Sequence, residues 1–96
     1  MDEKIQTLHP DPGKQGVRID RGKYELVAQA IQEIIRQQGE ISFNGLMQAV
    51  NERLQGKMAG SISWYVTTVK LDLEARGVIA RVPGAKPQRL RLSEPH

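Results

Sequence analysis

The sequence predicts a mainly α fold with a small β component, an α+β domain of three helices followed by a C-terminal β-hairpin. Three observations carry this. Apolar residues recur at helical spacing in three stretches between Tyr24 and Leu73. After Gly77 that rhythm gives way to a two-residue alternation. Capping residues and glycines stand where the rhythm breaks.

In His9-Pro10-Asp11-Pro12-Gly13 two prolines fix φ and lack amide donors, so residues 1–19 read as an extended arm, with at most a short strand at Val17–Ile19. Asp20 is placed to cap a first helix by accepting from the open amides of its first turn. The apolar face of that helix is Tyr24, Val27, Ala28, Ile31, Ile34 and Ile35, and Gly39 suits the left-handed position that ends it. Glu40 to Phe43 is a short connector, open to β-pairing, with Ser42 placed to cap the second helix. That helix runs roughly from Asn44 to Leu54 on Leu46, Met47, Val50 and Leu54, weakened slightly by Gly45 in its first turn. Residues 55–60 form a loop carrying Gly56 and Gly60. Ser61 is the natural N-cap of the third helix, a cap contributing about 1 kcal/mol. The core face there is Ile62, Val66, Val69 and Leu73, and Gly77 closes the helix. Val78–Val82 and Gln88–Leu92 then flank a Pro83–Pro87 turn, which reads as a β-hairpin.

Three helices and a hairpin in this order make a winged helix-turn-helix, with the second and third helices as the helix-turn-helix and the hairpin as its wing. A plain three-helix bundle would leave the hairpin without a role, and an OB-type barrel needs more strands. The expected organisation is an arm over 1–19, the domain over 20–93 and a frayed tail over 94–96.

A chain of 96 residues is one domain's worth. The absence of cysteine fits a reducing compartment. No apolar run approaches the ~18 to 20 residues that span a bilayer, and Met1-Asp2-Glu3-Lys4 has no signal-peptide pattern. The expectation is a cytoplasmic protein with no membrane partner. The net charge of +3 is unevenly placed. Acids and bases balance over residues 1–60, whereas residues 61–96 carry Lys70, Arg76, Arg81, Lys86, Arg89 and Arg91 against Asp72, Glu74 and Glu94. Within 78–92 no acid accompanies the bases, the footprint expected of a polyanion binder; a solvated basic hairpin that keeps the protein soluble is the plainer alternative.

From Ile41 to Leu92 the chain resembles the winged-helix superfamily of bacterial regulators. The stretch that carries the resemblance is Leu73-Glu74-Ala75-Arg76-Gly77-Val78-Ile79-Ala80-Arg81, similar to the passage in which the recognition helix of such regulators turns into the wing. The string from His9 to Gly16 and the string from Trp64 to Gly77 also resemble a family of short bacterial proteins without characterised function. That likeness covers nearly the whole chain and implies no activity. One departure is the loop before helix 3, about six residues against the three or four of a tight helix-turn-helix, which allows helix 3 a different angle.

The resemblance and the basic wing together make binding to double-stranded DNA the leading expectation. Helix 3 would enter the major groove through Ser61, Ser63, Thr67, Thr68 and Lys70, with the open amides behind Ser61 as an anion site. Arg81, Lys86, Arg89 and Arg91 on the wing would contact phosphates. Trp64 and Leu71, seven residues apart, fall on one side of helix 3 opposite its core stripe, where large apolar groups are rarely left in water without reason. Three explanations stand: the arm folds back over them with Pro10 and Pro12 on the indole, they form a symmetric dimer contact, or they touch nucleic acid or another protein directly. The rival function is therefore a protein-interaction or dimerisation module using Trp64, Leu71 and the arm. Asp72 and Glu74 on the same helix favour the rival, since they would repel phosphate if they faced it. No enzyme, metal or cofactor is expected. The two histidines, His9 and His96, have no metal-ligand spacing, and Gly13-Lys14-Gln15-Gly16 lacks the strand, glycine spacing and hydroxyl of a phosphate loop.

Overall fold

In chain order the elements are β1 (Lys4–Gln6), β2 (Arg18–Asp20), α1 (Arg21–Gln38), β3 (Glu40–Ser42), α2 (Phe43–Leu54), α3 (Ile62–Ala75), β4 (Ile79–Arg81) and β5 (Arg89–Leu92). This computed structural model describes residues 3–93, so the tail expected at 94–96 lies outside the described residues. Each helix starts where a side-chain oxygen meets its first turn. Asp20 accepts from the Lys23 amide at 2.9 Å, Ser42 from Gly45 at 3.0 Å and Ser61 from Trp64 at 3.2 Å. Gly39, at φ 78°, ends α1 in the left-handed region that glycine enters without strain.

The apolar faces meet as their spacing requires. Val27, Ile31 and Ile35 of α1, Leu46 and Val50 of α2, Val66 and Val69 of α3 and Leu90 of β5 are wholly buried in one core. Each such side chain stabilises the fold by roughly 1.5 to 3 kcal/mol relative to exposure. The connector between α1 and α2 does pair: the second sheet has the order β3-β5-β4, all antiparallel, with β5 central. Ile41, Leu90 and Arg81 are register partners on the face toward the helices, and Glu40, Arg91 and Ala80 on the opposite face. The result is an α+β fold of winged-helix-like arrangement. Among the described residues no helix is long and apolar enough to cross a membrane.

The N-terminal segment departs from the expected extended arm. β1 and β2 form an antiparallel hairpin in which Ile5 faces Ile19, and Ile19 joins the core at 5% exposure. Thr7 closes it: its amide and hydroxyl both donate to the Val17 carbonyl at 2.8 Å, and its oxygen accepts from the Val17 amide at 2.8 Å. A Cβ on Gly16 would lie 2.0 Å from the Thr7 carbonyl oxygen, so only glycine allows the two backbones to approach this closely. The prolines do sit in a turn, where the His9 Nδ1 accepts from the Asp11 amide at 3.0 Å.

Candidate nucleic-acid interface

The charged residues of α3 point inward more than the sequence suggests. Lys70, expected on the flank of a groove-reading face, is 4% exposed. It follows the buried Val69 directly, its ammonium meets the Glu74 carboxylate at 3.0 Å, and it lies 4.9 Å from the centre of the Phe43 ring. Burial pushes its pKa down, against the upward pull of Glu74. Lys70 therefore leaves the candidate set. Glu74 also takes Arg81 at 3.1 Å.

Asp72 is wholly buried and accepts from the Leu8 amide at 2.8 Å, from the Tyr24 hydroxyl and from the Arg76 Nε at 2.9 Å. Burial, then the hydrogen bond to Asp72, pushes the Tyr24 hydroxyl up to about 12. The Arg76 guanidinium is held above its ordinary value by the same carboxylate and reaches the Gln6 carbonyl at 3.2 Å. Neither α3 acid faces outward, so the condition under which Asp72 and Glu74 would repel phosphate is not met. They bind the helix to the hairpin, to α1 and to β4.

The outer side of α3 is flanked by that hairpin. Leu8, Val17 and Trp64 are the large apolar side chains left exposed among the described residues, at 43%, 41% and 47%. All three line one groove of about 140 Å³ together with Thr68 and Leu71. The N-terminal segment thus runs beside Trp64 and Leu71 without covering the indole, and its residues there are Leu8 and Val17, not the Pro10 and Pro12 expected to pack on it. Pro10 lines a separate cavity with Glu74, Gly77 and Arg81, because the Leu8–Asp72 bond carries the proline turn toward the C-terminal end of α3. Ser61, Ser63 and Thr67 remain exposed. The Thr67 hydroxyl donates to the Ser63 carbonyl at 3.1 Å, and the Ser63 hydroxyl accepts from Asn51 Nδ2 at 3.3 Å.

On the wing, two of the four bases are engaged. Arg81 lies on the helix-facing side and is tied to Glu74, while Arg89 is paired with Glu40. The hairpin has no acid in its own sequence, but β3 adds Glu40 beside Arg89 and Arg91 once it joins the sheet. Lys86 and Arg91 are exposed and make no ion pair among the described residues.

A second set of cations was not singled out from the sequence. Lys4 of β1, Arg18 of β2 and Lys23 of α1 line a groove of about 480 Å³ with Asp20, Trp64 and Tyr65, and none of the three bases makes an ion pair among the described residues. Lys23 lies 5.5 Å from the centre of the Tyr65 ring, and Trp64 stands edge-to-face with Tyr65 at 5.0 Å. The available signal was the alternation Lys4-Ile5-Gln6 and Arg18-Ile19-Asp20. Pairing Ile5 with Ile19 sends the polar neighbours to the opposite face. Among the described residues no group of three or more His, Cys, Asp or Glu side chains is arranged to hold a metal ion.

Residues 4–90 match the model of a family of unknown function, DUF6958. The chain belongs to that family. The DUF6958 match runs from β1 into β5, so the hairpin cations and the aromatic pair of the groove both lie within it. No winged helix-turn-helix family is identified, and the winged-helix likeness stands on the architecture. No curated protein and no solved structure matches the chain.

Proposed function

We propose that this protein is a cytoplasmic nucleic-acid-binding domain that meets phosphates through the N-terminal end of α3 and the hairpin beside it, with Lys86 and Arg91 of the wing as outlying contacts. It carries no catalytic step and needs no cofactor. What supports this reading above all is the groove that Lys4, Arg18 and Lys23, none of them ion-paired among the described residues, line together with Trp64 and Tyr65 of the first turn of α3. Cations already closed onto carboxylates, such as Arg81 and Arg89, contribute less to counterion release than open ones. The contact is thereby shifted from the wing toward the hairpin.

The test is fluorescence anisotropy with labelled random-sequence DNA, in duplex and single-stranded form, at two salt concentrations. Lys4→Glu/Arg18→Glu is expected to weaken binding at least tenfold, and Arg89→Glu/Arg91→Glu to weaken it less. Absence of salt-dependent binding to either form would refute the proposal. A protein partner, a second copy included, is the second reading, favoured by the gathering of Leu8, Val17 and Trp64 in one groove. Light scattering of the parent beside Trp64→Ala separates self-association from it, because an unchanged dimer would exclude that contact.

A further inference from the structure

We infer that the ligand of the α3 groove is single-stranded nucleic acid, with a base stacked at Trp64 and its flanking phosphates on Lys4, Arg18 and Lys23. This rests on the nucleic-acid reading above and narrows it. Trp64 is shared by two grooves, one carrying three cations and the other the exposed apolar side chains Leu8 and Val17. On one side lie the three cations and Tyr65; on the other lie Leu8, Val17, Leu71 and the methyl-bearing Thr68, beside the polar Thr7, His9 and Gln15. A ligand that fills both offers negative charge on one side of Trp64 and a flat apolar surface on the other. An unpaired nucleotide does so. A duplex presents phosphates outward but keeps its base faces stacked inside.

Access to α3 favours the same ligand. A recognition helix reads duplex DNA by lying in a major groove about 12 Å wide, with its outer face bare. Here the β1–β2 hairpin stands along that face, held by the Leu8–Asp72 and Gln6–Arg76 hydrogen bonds, and Thr68 and Leu71 share their groove with Leu8 and Val17. Ser61, Ser63 and Thr67 stay exposed at the N-terminal end, but farther along the helix the open surface narrows to the groove between hairpin and helix. The aromatic pair is set in advance: Tyr65 holds the indole at an interplanar angle of 90°, and the Lys23 ammonium lies over Tyr65. Asp20 is the acid lining the cationic groove, and its carboxylate accepts from the Lys23 amide. Nearby Glu3 is paired with Arg21.

The chain has one tryptophan, so its emission reports this groove alone. The intact protein is titrated with a mixed-sequence single strand of about 12 nucleotides, within the usual site sizes, with the matching duplex, and with polyglutamate. The single strand is expected to quench Trp64, to bind at least tenfold more tightly than the duplex, and to show a log–log salt slope near −2, from about three contacts at −0.7 each. Trp64→Ala is expected to weaken single-strand binding about tenfold, in line with the loss of one stacked base, with the circular dichroism spectrum of the folded chain unchanged. Trp64→Phe is expected to restore most of it. A duplex that binds as tightly as the single strand with the indole unquenched overturns the inference while leaving the nucleic-acid reading in place. Quenching by polyglutamate equal to that by the oligonucleotide assigns the groove to an acidic protein chain and overturns both. So does failure of both strand forms to bind.

Discussion

Asp72→Ala isolates the carboxylate on which the hairpin, α1 and α3 converge. Three donors meet Asp72: the Leu8 amide, the Tyr24 hydroxyl and the Arg76 guanidinium. Removing one partner of a buried, hydrogen-bonded ion pair costs about 3 to 5 kcal/mol. The Arg76 side chain is 38% exposed and Leu8 lies at the surface, so water can take over part of both interactions. The loss is therefore placed at the lower end, about 3 kcal/mol. For a domain of this size that corresponds to a fall in Tm of roughly 12 to 24 °C. Urea denaturation followed by circular dichroism measures it, and hydrogen exchange at the Leu8 amide reports whether the hairpin has lifted. Asp72→Asn, which keeps the shape and one acceptor but not the charge, is expected to lose less. A loss within about 0.5 kcal/mol, the range of ordinary surface substitutions, together with unchanged protection at Leu8, would refute the claim that this carboxylate fastens the hairpin.

Three further outcomes are expected. Gly16→Ala, which sets a methyl 2.0 Å from the Thr7 carbonyl oxygen, should open the base of the hairpin and lower the urea midpoint, since the obstacle is backbone. Glu74→Gln leaves the buried Lys70 without its counter-charge and should cost about 3 kcal/mol, and adding Lys70→Met should recover most of that loss. The Tyr24 hydroxyl, raised from 10.0 to about 12, holds its proton more tightly in the folded state, so its contribution to stability is complete below pH 10 and is lost as pH rises toward 12. Lys70, lowered by burial, has the opposite slope. The measurement is thus the difference between parent and Tyr24→Phe across that window, where the parent should lose stability faster; equal slopes would contradict it.

The helices were legible because their signals are local. Asp20, Ser42 and Ser61 are caps that act within three residues, and the apolar spacing of α1 and α2 names their buried faces almost residue for residue. The hairpin after Gly77 was equally readable from its alternation. What escaped depends on partners far away in sequence. Lys70 lies beside the core stripe of α3, and only the position of Glu74 and Phe43 turns that flank into an interior. Arg89 looked unopposed because its acid comes from β3, 49 residues earlier. The first strand was hidden by length: three residues around one isoleucine give too short an alternation to read, and its pairing partner comes only after a proline turn. The cationic groove was missed for the same reason, since it assembles residues from β1, β2, α1 and α3.

The bonds that seat the hairpin, Leu8 to Asp72 and Arg76 to Gln6, join positions 64 and 70 residues apart. Closing loops of that length costs chain entropy before any contact returns it, whereas helices gain from neighbours a turn away. During synthesis from the N-terminus, the first strand therefore emerges long before its berth exists, and it docks only after Arg76 has left the ribosome. The strand's seat on α3 is thus completed by a residue made 70 positions after it.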